Sequence, residues 1–224
     1  MIDFPISTFL NKRIPKQRFY DNLSVTPELK KAFSEQIAAI YWRNKLAPST
    51  LNLALGQNVI ELQVFELHLN QSEIDWRVLQ LMDREIPYHI LFLLRHEQMV
   101  QAWIGYKEAS LTKAATFVVE RYYQTDWHAL EELPLSLQGL SMDTVYENLL
   151  RQIAGDRLNI SPNQDTTQKI SLKQTVERVA KREKLLRQIA ALEKKVRDEK
   201  QFNVQVALNT KLKHFQKMLE ELNG

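Results

Sequence analysis

His89-Ile-Leu-Phe-Leu-Leu94 followed by Val100-Gln-Ala-Trp-Ile-Gly-Tyr106, with Arg95-His96-Glu97-Gln98-Met99 between them, decides the fold. Two apolar runs of strand length on either side of a short polar spacer predict a β-hairpin. Downstream, Ala115–Tyr123 predicts a third neighbouring strand. Upstream, Pro87 closes a short amphipathic helix from about Ser72 to Asp83, with Ile74, Val78, Leu79 and Met82 on one side. Before that helix, Val59–Leu69 alternates with period two. Ile60, Leu62, Val64 and Leu67 point inward and Glu61, Gln63 and His68 outward, which predicts a half-exposed strand.

Thr26-Pro27-Glu28 is a strong helix start, combining a hydroxyl N-cap, proline at the first helical position and an acid in the first turn. Leu29, Phe33, Ile37, Ile40 and Tyr41 then recur at helical spacing through about Lys45, and Ala47-Pro48-Ser49-Thr50 breaks the pattern. Asp143 opens a further helix with Val145, Leu149, Leu150 and Ile153 as its buried stripe and Gly155 as a left-handed stop. Helices and strands do not alternate as in a doubly wound sheet. Residues 24–158 therefore read as one compact α+β body.

Residues 159–170, which include Asn159 to Lys169, are polar with one proline and read as a linker. From Ser171, whose Ser-Leu-Lys-Gln174 matches a capping box, helical signal runs almost to Gly224. Leu185, Ile189, Leu192 and Val196 make one packing seam; Leu208, Leu212, Phe215, Leu219 and Leu222 make a second. Glu199 and Asn203 weaken the seam between them. A hairpin turning around Lys200–Asn203 is the first reading of residues 171–224, and one helix of about 50 residues, about 75 Å long, is the second. A stripe this narrow wants a cover: itself, the body or another protein. Leu185, Ile189, Leu192, Leu212, Phe215 and Leu219 are the candidate partner-binding residues.

The 224 residues suffice for one core, and none of them is cysteine. Disulfides, thiol nucleophiles and thiolate metal sites are excluded, in keeping with a reducing cytoplasm. The first residues lack a signal-peptide core, and no stretch reaches the length of a membrane span, so a soluble cytoplasmic protein without a membrane partner is expected. The net charge of +3 conceals segregation: +4 over residues 1–47, −4 over 48–110, −3 over 111–172 and +6 over 173–224. Basic ends either face a polyanion or dock on the acidic body.

Motifs for chemistry are sparse. The five glycines fit neither GxxxxGK[ST] nor GxGxxG, and GxSxG and HExxH are missing. The five histidines show no metal-ligand spacing, so neither metal nor cofactor is called for. Asp126-Trp127-His128 reads as a turn with an exposed histidine rather than as a base with its orienting acid, because adjacent strand residues point opposite ways. A metal-dependent nuclease would draw on Glu61, Glu66 and Lys107, carboxylates and a lysine that hold Mg²⁺ and activate water. The acid-then-Glu-x-Lys arrangement of such sites is lacking, since Gly105 stands two places before Lys107. Within the basic arm of residues 1–23, Lys12, Arg13, Lys16 and Arg18 interleave with Phe19 and Tyr20. Such a segment either grips phosphates and stacks on bases or lies over the acidic body.

Seven blocks carry a family resemblance: Asn11-Lys-Arg-Ile-Pro-Lys-Gln-Arg-Phe-Tyr20, Lys45-Leu-Ala-Pro-Ser-Thr50, Val64-Phe-Glu-Leu67, Ile86-Pro-Tyr-His-Ile90, Tyr106-Lys107-Glu108, Tyr146-Glu-Asn-Leu-Leu-Arg-Gln-Ile153 and Glu199-Lys-Gln-Phe-Asn203. In this order they resemble the bacterial family named domain of unknown function 4391, over nearly the whole chain. The family has no established activity or catalytic residues to carry over. Its genes occur near DNA methyltransferases and helicases of restriction-like defence clusters. The resemblance thus implies a non-enzymatic accessory or scaffold subunit of a restriction-modification or phage-defence complex. Its expected partners are a larger subunit such as a helicase or DNA methyltransferase, DNA, and a second copy through the C-terminal helices. The alternative is a divergent metal-dependent nuclease subunit.

Overall fold

A computed structural model describes residues 4–19, 25–109, 117–158 and 171–223. The chain divides into two compact units, Met1–Ala154 and Gly155–Gly224. The fold is α+β, a mixed sheet with helices followed by a C-terminal helical pair.

Seven described strands make the sheet of the first unit: β1 (Phe9–Ile14), β2 (Ile37–Leu46), β3 (Leu62–Leu69), β4 (His89–His96), β5 (Met99–Ala109), β6 (Phe117–Gln124) and the two-residue β7 (His128–Ala129). Their order is β1-β2-β3-β4-β5-β6, with β7 paired to β5. All neighbours are antiparallel except β3 and β4. A parallel pair needs a crossover, and helix α3 (Trp76–Glu85) supplies it. β4 and β5 form the expected hairpin, turning at Glu97 with φ 51°. Helix α1 (Pro27–Gln36) precedes β2, the short α2 (Pro48–Leu51) follows it, and α4 (Met142–Ala154) comes after the sheet.

One face of the sheet carries the main apolar cluster. Phe65, Leu67 and Leu69 of β3 and Ile90, Phe92 and Leu94 of β4 pack with Phe33 of α1 and Val78, Leu79 and Met82 of α3. On the other face α4 lies over β5, where the Tyr146 hydroxyl donates to the Gly105 carbonyl at 2.7 Å and accepts from the Lys107 amide at 3.2 Å. The first helical residues of α4 also hold the approach to β3: the Asp143 carboxylate accepts from the amides of Gln57 (2.6 Å), Asn58 (3.1 Å) and Val59 (2.8 Å). Gly155, at φ 52°, ends α4 in the left-handed conformation expected of it.

Three expectations are corrected. The helix read through Lys45 stops at Gln36, and Ile37–Leu46 is strand β2. The misleading signal is the three-residue step from Ile37 to Ile40, which looks helical. A register shift between Ile37 and Ala39 lets both isoleucines enter the same cluster from a strand. Strand β3 starts at Leu62, leaving Ile60 exposed, and is buried on both faces save at Glu66 and His68, which stay partly exposed. Its buried Gln63 is tolerated because its amide accepts from the Trp42 indole at 2.9 Å and donates to Glu61 at 3.0 Å. Part of the N-terminal arm is the edge strand β1, bulged at Asn11 with φ 46°.

The second unit is a hairpin, as first read. Helix α5 (Leu172–Asp198) and helix α6 (Phe202–Asn223) are broken at residues 199–201. They run antiparallel: the Arg178 side chain donates to the Leu222 carbonyl (Nε at 2.9 Å), and the Gln205 amide donates to the Val196 carbonyl at 3.1 Å. Ser171 and Gln174 complete their reciprocal capping box. The expected linker, residues 159–170, lies outside the described residues, as do Tyr20 and the first residues of the run that begins at Ala115. No described helix is long and apolar enough to cross a membrane.

Candidate functional site

Strand alternation sends neighbouring polar residues of this sheet to opposite faces, so two polar clusters form back to back. Under α3, Lys107 of β5 and Asp83 make an ion pair at 2.7 Å whose side chains are 2% and 1% exposed. The Lys107 ammonium also donates to the Tyr88 carbonyl at 2.5 Å, and the Tyr122 hydroxyl of β6 donates to Asp83. Burial pushes the Asp83 carboxyl above its ordinary range, against the pull of Lys107 and Tyr122. Burial, reinforced by the Asp83 charge, raises Tyr122 as well. Gly105 leaves little room here: a Cβ would lie 3.0 Å from the Val119 side chain and 3.2 Å from that of Tyr122, so these would have to give by a few tenths of an ångström.

Beneath α4, His89 of β4 is buried and meets the Tyr146 ring edge-on at 4.4 Å between centroids. Burial, followed by the nearby Lys107 ammonium, lowers its pKa to about 3. Tyr146 is raised, chiefly by burial. Asp83, Lys107, His89 and Tyr146 are all buried, the first two under α3 and the last two beneath α4, while Tyr122 is half-buried.

The second cluster centres on Glu66 of β3. Its carboxylate takes Arg43 of β2 at 2.7 Å, His68 at 2.7 Å and Arg95 of β4 at 3.6 Å. Tyr41 packs against His68 with the rings tilted by 46° and their centroids 5.0 Å apart.

The residues named for a nuclease do not converge. Glu66 and Lys107 lie on opposite faces of the sheet, since Phe65 and Leu67 flank Glu66 and belong to the cluster beneath α3, where Lys107 meets Asp83. Glu61, before β3, is paired with Lys45 at 2.7 Å. Among the described residues, no three His, Cys, Asp or Glu side chains group as metal ligands. His128 is half-buried in β7.

The N-terminal cations are also divided. Lys12 pairs across to Trp42 and Arg13 to Tyr41, so they face opposite sides of the sheet. Lys16 is spent on the end of α1, donating to the carbonyls of Ser34 at 3.0 Å and Ile37 at 2.6 Å. Arg18 is exposed. In the hairpin, Leu185, Ile189 and Leu192 are buried, whereas Leu212, Phe215 and Leu219 are half-buried. Phe202, Val204 and Val206, at the start of α6, are exposed.

Sequence reasoning missed Asp83, Tyr122, Tyr146 and Asp143. For Asp83 a signal existed, because it stands four residues after Leu79 on the apolar stripe of α3, where a carboxylate needs a buried cation.

The family model described as Domain of unknown function (DUF4391) matches residues 2–219, and the chain belongs to that family. No curated protein and no solved structure matches.

Proposed function

We propose that this member of the family is a non-enzymatic accessory subunit of a bacterial restriction-modification or phage-defence complex. It would work in the cytoplasm, holding a larger subunit such as a helicase or DNA methyltransferase and touching DNA through its basic N-terminal segment. The observation that carries this reading is the apolar surface of α6. Phe202 is 75% exposed, Val204 and Val206 follow it, and Leu212, Phe215 and Leu219 are only half-covered. Exposed apolar surface in a helix of this kind marks a docking face. The separation of Glu66 from Lys107 onto opposite faces of the sheet weighs against the carboxylate–lysine trio named for the nuclease alternative.

Co-purification of the tagged, full-length protein from its native host tests the reading. A larger DNA-handling subunit should be captured, and changing Phe202, Leu212, Phe215 and Leu219 together to Ser should abolish capture while the melting of the sheet unit is retained. Cleavage of plasmid, linear or single-stranded DNA in Mg²⁺ or Mn²⁺ that disappears in Lys107→Ala, in a variant still folded by circular dichroism, would promote the nuclease alternative instead.

A further inference from the structure

The face of the sheet bearing Glu66 places four groups in a line across four adjacent strands. Arg13 of β1 lies directly opposite Tyr41 of β2. Tyr41 packs against His68 of β3 with its ring tilted by 46°, centroids 5.0 Å apart. His68 lies directly opposite Arg95 of β4. The order is cation, ring, ring, cation; His68 lies two residues along β3 from Glu66, the residue opposite Tyr41, so three inter-strand spacings and that offset set the Cα atoms of the two arginines about 16 Å apart. Arg13 is exposed, Tyr41 is half-buried, and the His68 and Arg95 side chains are 35% and 33% exposed. The line is therefore open to a ligand.

Glu66 fixes this line from one side. Its two oxygens hold His68 and Arg43 at 2.7 Å, with Arg95 at 3.6 Å. Three arginines (13, 43 and 95) against one carboxylate leave a formal surplus of two positive charges. Two further ion pairs, Lys45 with Glu61 and Lys107 with Asp83, are matched one to one. A cationic surplus around aromatic rings on a sheet face is an arrangement that binds an extended polynucleotide: cations take phosphates, and rings take the faces of unpaired bases. A duplex offers its bases only within its grooves and cannot stack on Tyr41.

We propose that this line, Arg13–Tyr41–His68–Arg95, is a binding site for single-stranded DNA. The proposal rests on the DNA contact in the reading above and relocates it from the whole basic segment to one face of the sheet.

Binding of a fluorescently labelled oligothymidylate to the full-length protein, followed by anisotropy from 25 to 200 mM salt, tests it. The double change Arg13→Ala and Arg95→Ala should lower the log–log salt slope by about 1.4, from about 0.7 for each single-strand phosphate released. Tyr41→Ala should weaken binding about tenfold with little change of slope. Lys31→Ala with Arg84→Ala, on α1 and α3 against the opposite face, should change neither. Circular dichroism and melting of every variant separate loss of the site from loss of the fold, and Tyr41→Phe should rescue Tyr41→Ala. Binding that ignores Arg13, Arg95 and Tyr41, or that favours a duplex of equal length, would overturn the proposal. Absence of any binding at 25 mM salt would overturn it too, while leaving partner capture by α6, scored by co-purification, standing.

Discussion

The two faces of one sheet treat charge in opposite ways. Beneath α3, Asp83 and Lys107 are sealed from water and matched one to one, with Tyr122 completing the carboxylate's shell. On the other face, Glu66 is shared among Arg43, His68 and Arg95, two of which stay a third exposed. The buried pair has given up hydration and is repaid only by its exact partner, so it tolerates neither loss nor exchange. The open cluster keeps part of its hydration and carries surplus cation, so its partners can be re-shared with an arriving phosphate at low cost. The first arrangement specifies a fold, and the second leaves a surface able to bind.

The largest expected effect comes from breaking the buried pair. Lys107→Met removes the ammonium and leaves the Asp83 carboxylate without its cation, at a cost of about 3–5 kcal/mol of stability near neutral pH. The deficit should shrink in acid, where a proton on Asp83 does what the ammonium did. Lys107→Met with Asp83→Leu, which removes both charges, should recover most of the loss. Urea melts at neutral and acidic pH measure all three quantities. A single variant as stable as the parent would mean that this face is no more dependent on its charges than the other.

Next in size is the effect of pH on His89, where α4 closes the second face. Its pKa of about 3 lies below the ordinary value of 6.5 because burial and Lys107 disfavour the cation. In the unfolded chain the imidazole takes up a proton near pH 6.5, while in the fold it stays neutral down to about pH 3. The stabilising contribution is therefore complete above about 6.5 and is lost as the pH falls toward 3. Within that window the slope is up to about 1.4 kcal/mol per pH unit. Denaturation midpoints of the parent and of His89→Gln across the window isolate this share from that of the carboxylates. Parallel curves would show that protonating His89 costs the fold nothing.

These contrasts were only partly legible in the sequence. The β4–β5 hairpin, α3 and the break between α5 and α6 announce themselves by local signals: apolar runs, a one-sided stripe, and seam positions held by Glu199 and Asn203. β2 was hidden because a bulge gives Ile37 and Ile40 the spacing of a helix. At the site, Glu66 and Lys107 were visible as charged strand residues, but their separation onto two faces depends on the order β3-β4-β5 and on which side α3 crosses. Those are long-range properties. The pairing of Asp83 with Lys107 and the alignment of Arg13 with Arg95 likewise join residues far apart in the chain through strand order. Asp143, whose carboxylate gathers three amides from residues 57–59, looked from the sequence like an ordinary acid in a first helical turn.

The smallest expected effect on stability, and the sharpest separation of the two faces, lies in Glu66→Gln. The side chain keeps its size and one acceptor oxygen, so Arg43 or His68 retains a hydrogen bond. What disappears is one negative charge in a cluster that water reaches through His68 and Arg95. Stability should fall by about 1 kcal/mol, and by less at high salt, because partly exposed ion pairs are screened. Binding of single-stranded DNA should move the other way. With the carboxylate gone, the formal surplus on this face rises from two to three, and no acid competes with phosphate for Arg95. Affinity at low salt should therefore rise several-fold, and the gain should fade as salt is added. Lys107→Met, on the opposite face, should leave affinity unchanged wherever it remains folded. A Glu66→Gln protein that loses several kcal/mol would show that the open cluster is as structural as the buried pair. One that binds DNA more weakly would show that Glu66 positions the arginines rather than competing for them.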